Sequence, residues 1–514
     1  MPLTTFRDES IIVRSYRTRA ILGISESLTP PTIKIFTRVG IRKAENHETI
    51  DKNNKKSYLV GLDLDKALEA KEDVEVIWPI KQGIVKDWEA LKAIWSEQSS
   101  FLYVLMNRQY PPQPRTSINP VYLIVPPQWN MRDKELATCT FFEDHLVAGF
   151  AIGDASVFPL YAMGHLSGIV IHVGYEKTDI TPVLDAQAVT SARITIPIGG
   201  KNLTERLHAL LLSSPPILKE TNTPLPSEEI TFELAEKIKC SNIVEVILQK
   251  PQESFQKLLN KTSDNLPPPD SSMEGVEDVA SIVVSGRTRE YLAQKEAEKN
   301  QNRKSKNENN VFENKKLTYN QFTLDNSQVV LIGKERFEVC DNFFEDDVQE
   351  GRLGILNAIY MAINSVSIEP DRRSDLWENI AIVGEGSRIL GFKEQLLSDI
   401  TQKYISVIES TAMKHPNMST SAYTSSNTMI SNVNSSYLVY HNPPIIFPST
   451  IRLAKIPDFF LEWKLDRNPN AILEEACFLG GQIVAKLSFN DPSSKNYMGR
   501  GEYNENGPTY INEI

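Results

Sequence analysis

The stretch that most constrains the fold of this chain is residues 168–183, GIVIHVGYEKTDITPV. Its first half is rich in β-branched residues, Val173-Gly174 can form a turn, and its second half is again apolar. This pattern is typical of two antiparallel strands joined by a tight turn. The segment RITIPIGG at 193–200 predicts another strand, and the leucine-rich segment 202–212 predicts a helix with Asn202 as its N-cap.

The composition predicts sizeable hydrophobic cores and argues against several classes of protein. Of the 514 residues, 41% are hydrophobic. No apolar run reaches the roughly 18 residues of a membrane-spanning helix, and the first ten residues lack the apolar region of a secretory signal. The four cysteines are far apart and form no CxxC pair. We therefore expect neither disulfides nor zinc, and a reducing compartment, the cytosol or the nucleus.

The charge of the chain argues against direct binding of nucleic acid. The formal net charge is −11, whereas proteins that hold nucleic acid through its phosphates carry clustered Lys and Arg. The tract KNQNRKSKNENNVFENKK at 299–316 is basic, but it is short and is better interpreted as a solvated linker. We expect any contact with DNA to go through partners.

Four short motifs carry a resemblance to a known family. They are WPIKQGIVKDWEALKAIW at 78–95, IGKERF at 332–337, FLGGQIVAKLSF at 478–489 and EYNENGP at 502–508. Together with the hairpin at 168–183 and a second predicted hairpin within 10–24, they resemble actins over nearly the whole chain outside its insertions. The resemblance implies an α/β protein with the actin-like two-lobed fold, built from duplicated ribonuclease-H-like domains as four subdomains, with insertions. It also implies that the tryptophans of the first motif are core residues.

The resemblance divides the chain into four subdomains. Subdomain 1 is predicted to comprise residues 1–35, 78–162 and 450–514, and the small subdomain 2 residues 36–77. Subdomain 3 comprises 163–198 and 352–449, with a Ser/Thr/Asn-rich insertion at 409–440 that we interpret as exposed and flexible. Subdomain 4 comprises 199–351, with an insertion at about 213–320 that is rich in Pro, Ser and Glu and ends in a Lys/Asn tract.

The nucleotide site of the family has lost its chemistry in this chain. Actins cradle phosphates with two glycine-containing hairpins, hold the metal through aspartates, and position the attacking water with a glutamine and a histidine. The positions that match this machinery are Arg14, Ala155, His172, Tyr175, Asp179 and, in the glycine turn of the adenosine loop, Glu385. A phosphate cradle needs small residues and a metal needs carboxylates. The resemblance therefore implies no catalytic residues, no metal and no hydrolysis, and we expect no ATP cofactor and no enzyme activity.

Two of these positions, and the turn residue Gly174, invite a simpler structural interpretation. Arg14, with Arg17 and Arg19, could attract a phosphate by charge alone, but alternating basic residues on a strand are more typical of a solvated face. His172, at the end of a strand, is expected to be a hydrogen-bonded structural residue rather than a ligand. Gly174 is expected to be glycine because its backbone adopts the left-handed conformation.

Further motifs resemble one fungal subfamily of actin-related proteins. They are SGRTRE at 285–290, LAKIPDFFLEW at 453–463 and FLGGQIV at 478–484. The subfamily implies a nuclear, non-catalytic scaffold subunit of SWI/SNF- and RSC-type chromatin remodellers. Such a subunit would pair with a second actin-related protein, bind the helicase-SANT-associated helix of a Snf-type remodeller ATPase, contact other subunits of these complexes, and meet the nucleosome only through the complex. No membrane contact is implied.

A groove that binds amphipathic helices in actins offers the partner site. The matching positions are Tyr161, Gly164, Leu166, Val484 and Leu487. Ordinary packing between the C-terminal helix and the hinge accounts equally well for any one of them.

Two other functions stay open at this point. One is a nucleotide-binding but non-hydrolysing switch, which needs a cleft that Glu385 and Tyr175 do not fill. The other is a divergent cytoskeletal actin-related protein, although residues 40–57 show no resemblance to the filament loop of actins and the insertions would crowd lateral contacts.

Overall fold

The fold is seen in a computed structural model of the chain. It describes residues 11–16, 19–24, 28, 30–42, 58–107, 119–247, 319–341, 343–346, 351–366, 370–414, 451–457, 460, 463, 475–490 and 496–514. The chain forms two compact units. Unit 1 comprises residues 1–202, 342–388 and 406–514, and unit 2 comprises residues 203–341 and 389–405. The four predicted subdomain boundaries stay predictions.

Strands and helices are interspersed along the described residues, as expected for an α/β protein. The strands are β1 Ile12–Tyr16, β2 Arg19–Ile24, β3 Ile33–Phe36, β4 Val39–Arg42, β5 Leu59–Val60, β6 Val74–Ile77, β7 Ile80–Lys81, β8 Ile84–Val85, β9 Val121–Val125, β10 Gly149–Asp154, β11 Gly168–Val173, β12 Thr178–Leu184, β13 Gln187–Ala188, β14 Ile194–Ile196, β15 Ile217–Leu218, β16 Asn320–Thr323, β17 Val329–Ile332, β18 Ile380–Val383 and β19 Met498–Gly499. The helices are α1 Leu62–Glu69, α2 Trp88–Asn107, α3 Met131–Glu143, α4 Phe158–Met163, α5 Gly200–Ser213, α6 Phe232–Cys240, α7 Ile355–Asn364, α8 Pro370–Glu378, α9 Phe392–Lys414, α10 Ala476–Asn490 and α11 Arg500–Asn506.

Unit 1 contains two main sheets. The first has six strands in the order β19-β10-β9-β1-β2-β3, and the second has β13-β12-β11-β18 with β14 paired to β12. In the first sheet β9 lies parallel to both β1 and β10, and all five of its residues, VYLIV, are buried. A continuous apolar run is what a parallel strand covered on both faces requires. In the second sheet β11 is parallel to β18 and antiparallel to β12.

Both predicted hairpins are confirmed. β1 and β2 pair antiparallel from Ile12 with Ile24 to Tyr16 with Ala20. β11 and β12 pair from Gly168 with Val183 to Val173 with Thr178. β-branched residues are frequent in both pairs of strands, as is typical of β-sheets. The two hairpins thus lie in different sheets of unit 1.

The tryptophan motif forms core, as predicted. On α2, Leu91, Ile94 and Trp95 are fully buried, and the ring of Trp88 meets those of Trp95 and Trp129 edge-on at centroid distances of 6.1 and 5.7 Å. On α2 the residues Trp88, Leu91, Ile94 and Trp95 recur at helical spacing and therefore share one face. The next helix, α3, begins with a capping box between Asn130 and Asp133, which satisfies backbone groups left free at a helix start.

A second hydrophobic cluster of unit 1 joins residues from both main sheets and from α4 and α10. Its aromatic members include Tyr122, Phe158, Phe478 and Phe489. Trp463 also belongs to this cluster and donates its indole N–H to the carbonyl of Leu28. The C-terminal motifs therefore complete the core of unit 1.

Unit 2 is built on a three-stranded sheet in the order β15-β17-β16. Residues 214–247, which the sequence places in an insertion, contribute the strand β15 to this sheet and the helix α6 to unit 2. Thr231 caps α6 by accepting a hydrogen bond from the backbone of Leu234 at 3.2 Å. Leu225, Ile230 and the apolar face of α6 are buried. This part of the predicted insertion is thus folded and contributes buried residues to unit 2.

Three sequence predictions differ from the structure or lie outside it. The predicted N-cap is wrong, because α5 begins at Gly200 and Asn202 lies inside its first turn. The helix α9 extends to Lys414, so the first residues of the segment 409–440 are helical. The Lys/Asn tract and residues 415–440 lie outside the described residues.

Candidate functional site

The candidate site lies where the parallel strands of the two unit 1 sheets end. β9 and β10 end at Val125 and Asp154, and β11 and β18 end at Val173 and Val383. In α/β proteins ligands bind outside the carboxyl ends of such strands. The side chains and turns at these ends therefore decide what this crevice can hold.

Arg14 points away from this edge and into the core. Its side chain is 2% exposed, its Nη2 donates to Ser99 Oγ at 2.8 Å, and its Nη1 donates to the Trp95 carbonyl at 3.4 Å. The guanidinium also stacks over the ring of Phe141 at 5.2 Å. The expectation of a solvated basic face is wrong for Arg14, because the Trp95 carbonyl and the Ser99 hydroxyl, in the middle of α2, accept hydrogen bonds from its buried guanidinium. Arg17 and the side chain of Arg19 lie outside the described residues.

Ala155 is sealed in the second hydrophobic cluster and is 1% exposed. Its N–H donates to the carbonyl of Val125 at 3.0 Å, and its carbonyl accepts from the thiol of Cys477 at 3.3 Å. The position therefore serves backbone packing and offers no side-chain group that could orient water.

The turn after β11 is closed by backbone contacts. The N–H of Gly174 donates to the Lys177 carbonyl at 2.8 Å, and the N–H groups of Gly200 and Lys201 donate to the carbonyls of Gly174 and Tyr175 at 2.8 and 2.7 Å. A helix N-terminus can hold a phosphate with its free N–H groups. Here the first two N–H groups of α5 are used by the turn itself.

The reason predicted for Gly174 is wrong. Its φ is not among the positive values of the chain, whereas that of Gly384 is +100°. A Cβ on Gly174 would lie 2.9 Å from the Lys177 carbonyl oxygen, and one on Gly384 would lie 2.4 Å from the Val173 carbonyl oxygen. Close approach of backbone therefore selects glycine at 174, and only Gly384 also needs the left-handed conformation.

His172 lies opposite Asp179 in the hairpin ladder and is half-buried. A Cβ on Gly384 would lie 3.1 Å from its Nε2, so the ring lies against the glycine turn. Glu385 follows in the short 3₁₀ turn Glu385–Ser387 and is also half-buried. The glycine turn thus has an imidazole against Gly384 and a carboxylate on the residue that follows it.

Asp179 is the centre of a polar network that the sequence does not reveal. Its side chain accepts from Lys177 Nζ at 2.8 and 3.0 Å and from Gln128 Nε2 at 2.8 Å. Thr195 Oγ1 donates to it at 2.7 Å. A carboxylate that is 5% exposed requires such partners because burial removes its hydration. Lys177 lies just before β12 and Asp179 lies in it, two residues apart. This spacing places both side chains on one side of an extended chain and is the one signal that could have found the pair.

Arg193 makes a second network at the same edge. Its Nη2 donates to Asp154 Oδ2 at 2.5 Å and to Ser156 Oγ at 3.0 Å. Its Nη1 donates to the Pro127 carbonyl at 3.3 Å, and its Nε to Thr181 Oγ1 at 3.2 Å. Nearby, Glu176 Oε2 accepts from the backbone N–H of Gln82 at 3.0 Å. The crevice is thus bridged by the chain's own side chains.

The predicted helix-binding positions lie on and beside two helices in close contact. A Cβ on Gly480 of α10 would lie 1.9 Å from the carbonyl oxygen of Phe158 on α4, so glycine lets the helices touch. Val484 and Leu487 follow Gly480 at helical spacing on one face. Leu487 is 61% exposed and Leu166, just beyond α4, is 60% exposed.

The other three positions of this set differ in exposure. Tyr161 and Val484 are partly buried against the second hydrophobic cluster. Gly164 is exposed and ends α4 with φ 77°, a left-handed C-cap. Packing therefore accounts for Tyr161 and Val484, and the helix end accounts for Gly164. Leu166 and Leu487 are exposed apolar side chains.

The described residues contain neither a candidate metal site nor a candidate membrane-spanning helix. No group of three or more His, Cys, Asp or Glu side chains there could hold a metal ion. In the same part of the chain, no helix is both long and apolar enough to cross a bilayer. All four cysteines are free thiols.

Comparison with known proteins decides the family. The model of the actin family matches residues 29–430. The chain belongs to the actin family. The predicted α/β actin-like fold is thereby confirmed.

A relative of this actin-family chain is similar over nearly its full length. The chain is 36% identical to "SWI/SNF and RSC complexes subunit arp9" of Schizosaccharomyces pombe, over 99% of both chains. The chain is 27% identical to centractin of Saccharomyces cerevisiae, in a match that covers 27% of this chain and 34% of that protein. It is 26% identical to actin-related protein 2 of the same yeast, in a match that covers 30% of this chain and 37% of that protein. The full-length match agrees with the fungal subfamily predicted from the sequence.

Proposed function

We propose that this chain is a non-catalytic, nuclear actin-related subunit of SWI/SNF- and RSC-type chromatin-remodelling complexes. The observation that carries the proposal is the 36% identity, over 99% of both chains, to a protein named as a subunit of those complexes. Similarity to centractin covers only 27% of this chain. A subunit role therefore has more support than a filament-forming one.

The crevice supports the non-catalytic part of the proposal. Hydrolysis of a nucleotide needs a metal held by carboxylates and a group that orients water. At the matching positions, Arg14 is turned into the core and Ala155 is buried without a polar group. The carboxylate of Asp179 is occupied by Lys177 and Gln128.

Phosphate binding has equally little support. The N–H groups at the start of α5 donate to the hairpin turn, and Glu385 adds a negative charge beside Gly384. Anions bind where N–H groups are free and negative charge is absent. The residues present do not fit a magnesium–nucleotide, and we propose that the chain neither binds nor hydrolyses ATP.

The partners follow from the subfamily. The chain would pair with a second actin-related protein and bind the helicase-SANT-associated helix of the remodeller ATPase. Leu166 and Leu487 are exposed next to the contact of α4 with α10, and apolar side chains at a groove are what an amphipathic helix needs. Contact with the nucleosome would go through the assembled complex.

The proposal is tested by purifying the full chain at native expression level with a small affinity tag from nuclear extract. Mass spectrometry should find a Snf-type ATPase, a second actin-related protein and further remodeller subunits in stoichiometric amounts. Recovery of filament components, or of the chain alone from nuclear and cytosolic fractions, would contradict it.

A further inference from the structure

Three sets of contacts cross from one side of the unit 1 crevice to the other. Gln128, just after β9, donates to Asp179 on β12. Arg193, just before β14, reaches Asp154 at the end of β10 and the carbonyl of Pro127. The backbone of Gln82, after β7, donates to Glu176 in the turn before β12. Each contact joins residues far apart in sequence.

The charges at the first two of these contacts are balanced within the chain. Lys177 forms an ion pair with Asp179, and their side chains are 12% and 7% exposed. Arg193 forms an ion pair with Asp154, and their side chains are 13% and 32% exposed. Buried carboxylates need a positive charge and hydrogen-bond donors nearby. A lysine and an arginine of the chain supply both here, so no outside cation is required.

Packing around the network leaves little room for a change of geometry. Gly83 has φ +81°, and a Cβ there would lie 2.5 Å from Gln128 Oε1 and 3.1 Å from Lys177 Nζ. Gly199 is equally confined, because its Cβ would lie 2.5 Å from the Tyr175 carbonyl oxygen. Glycine at both positions lets loops from the two sides approach the network.

We propose that Gln128, Lys177, Asp179, Arg193 and Asp154 form an inter-sheet clamp that holds the two main sheets of unit 1 together without any ligand. Lys177 and Arg193 act as the fixed cations of the crevice. Buried ion pairs with additional hydrogen bonds are screened little by salt and specify one geometry. The sheets of unit 1 therefore keep one arrangement whether or not nucleotide is present.

The clamp goes beyond the proposed function, because it concerns the conformation of the chain and not its partners. A chain with a rigid crevice could serve another complex, and a remodeller subunit could have a mobile crevice. The subunit role and the clamp can therefore fail separately, and the variants below test the clamp without nucleotide.

Hydrogen exchange of the full-length protein tests the clamp. Gln128→Met removes one crossing hydrogen bond without changing charge or length, and Arg193→Met removes the other network. We expect about tenfold faster exchange in peptides covering 126–130 and 174–181, on both sides of the crevice, with little change in α3. Arg372→Met is the matched control, because Arg372 pairs with Asp185 on an exposed part of unit 1.

The same measurement on the wild-type protein with magnesium and ATP separates the clamp from a ligand-gated crevice. The clamp predicts identical exchange with and without nucleotide. Slower exchange at 126–130 and 174–181 on addition of nucleotide would overturn it, as would variants that exchange like the wild type. If Arg193→Met does not fold, Gln128→Met still decides, because it leaves every charge in place.

Discussion

The carbonyl oxygen of Phe158 lies so close to Gly480 that a Cβ on this glycine would be 1.9 Å away. The obstacle is backbone, so it cannot rotate aside as a flexible side chain would. Gly480→Ala should therefore force α10 away from α4 and lower the free energy of unfolding by about 1–3 kcal/mol or more. Urea unfolding of the purified chain measures the change.

Gly501 provides the matched control for this substitution. It lies in α11, and nothing is within 4 Å of a Cβ built there. Gly501→Ala should leave stability unchanged or raise it by about 0.5–1 kcal/mol, because alanine favours helix over glycine. Equal effects at 480 and 501 would show that the contact of α4 with α10 is not as close as described.

Arg14 should matter for stability and not for phosphate binding. Its guanidinium is buried, donates to Ser99 and the Trp95 carbonyl, and stacks on Phe141. Arg14→Met should lower the free energy of unfolding by about 2–4 kcal/mol, from lost charged hydrogen bonds and the ring contact.

The exposed arginine Arg42, which pairs with Glu72, serves as the comparison for Arg14. Arg42→Met should change stability by less than about 1 kcal/mol, as is typical of surface ion pairs. An Arg14→Met protein with unchanged stability would contradict the structural role of Arg14.

His145 should make the chain less stable in mild acid. Burial, together with the positive charge of Arg14, lowers the pKa of His145 to about 4, from 6.5 in the unfolded chain. Between these values the unfolded chain binds the proton and the folded chain does not, so stability is full above pH 6.5 and falls as the pH drops toward 4. The loss from this group is at most about 3 kcal/mol.

His145→Gln isolates this effect from the other acid-sensitive groups. Urea unfolding at pH 7 and pH 4.5 should show a smaller loss of stability in the variant than in the wild type. Nuclear magnetic resonance titration of Arg14→Met, if folded, should show a higher pKa for His145, because a nearby positive charge has been removed. Equal pH dependence in wild type and His145→Gln would contradict the assignment.

Leu166 and Leu487 should matter for binding and not for folding. They are 60% and 61% exposed, so Leu166→Asp and Leu487→Asp should change the free energy of unfolding by less than about 0.5 kcal/mol each. A larger loss, measured by thermal or urea unfolding, would mean that these side chains serve the core. Leu62, which is 70% exposed on α1, provides a control of equal chemistry elsewhere in unit 1.

Local patterns predict much of the fold but not the direction in which polar side chains point. The hairpins at 10–24 and 168–183 and the tryptophan helix follow from residue spacing and turn signals, which are local. The hydrogen bonds from Arg14 to Ser99 and from Gln128 to Asp179 join residues that are 85 and 51 positions apart in sequence. No periodicity encodes such partners, because they depend on how the sheets are assembled. The resemblance to actins locates the degenerate positions, yet only the structure shows which contacts replace the lost chemistry.

Binding of the remodeller helix tests the central proposal most directly. A peptide covering the helicase-SANT-associated helix is titrated into the full chain together with a second actin-related protein, with and without magnesium and ATP. We expect the same Kd in both conditions. Leu166→Asp and Leu487→Asp should each weaken binding about tenfold or more, the cost of losing one buried leucine, while Leu62→Asp should not. Binding that requires nucleotide, or no binding at all, would contradict the account of this chain as a nucleotide-independent scaffold subunit.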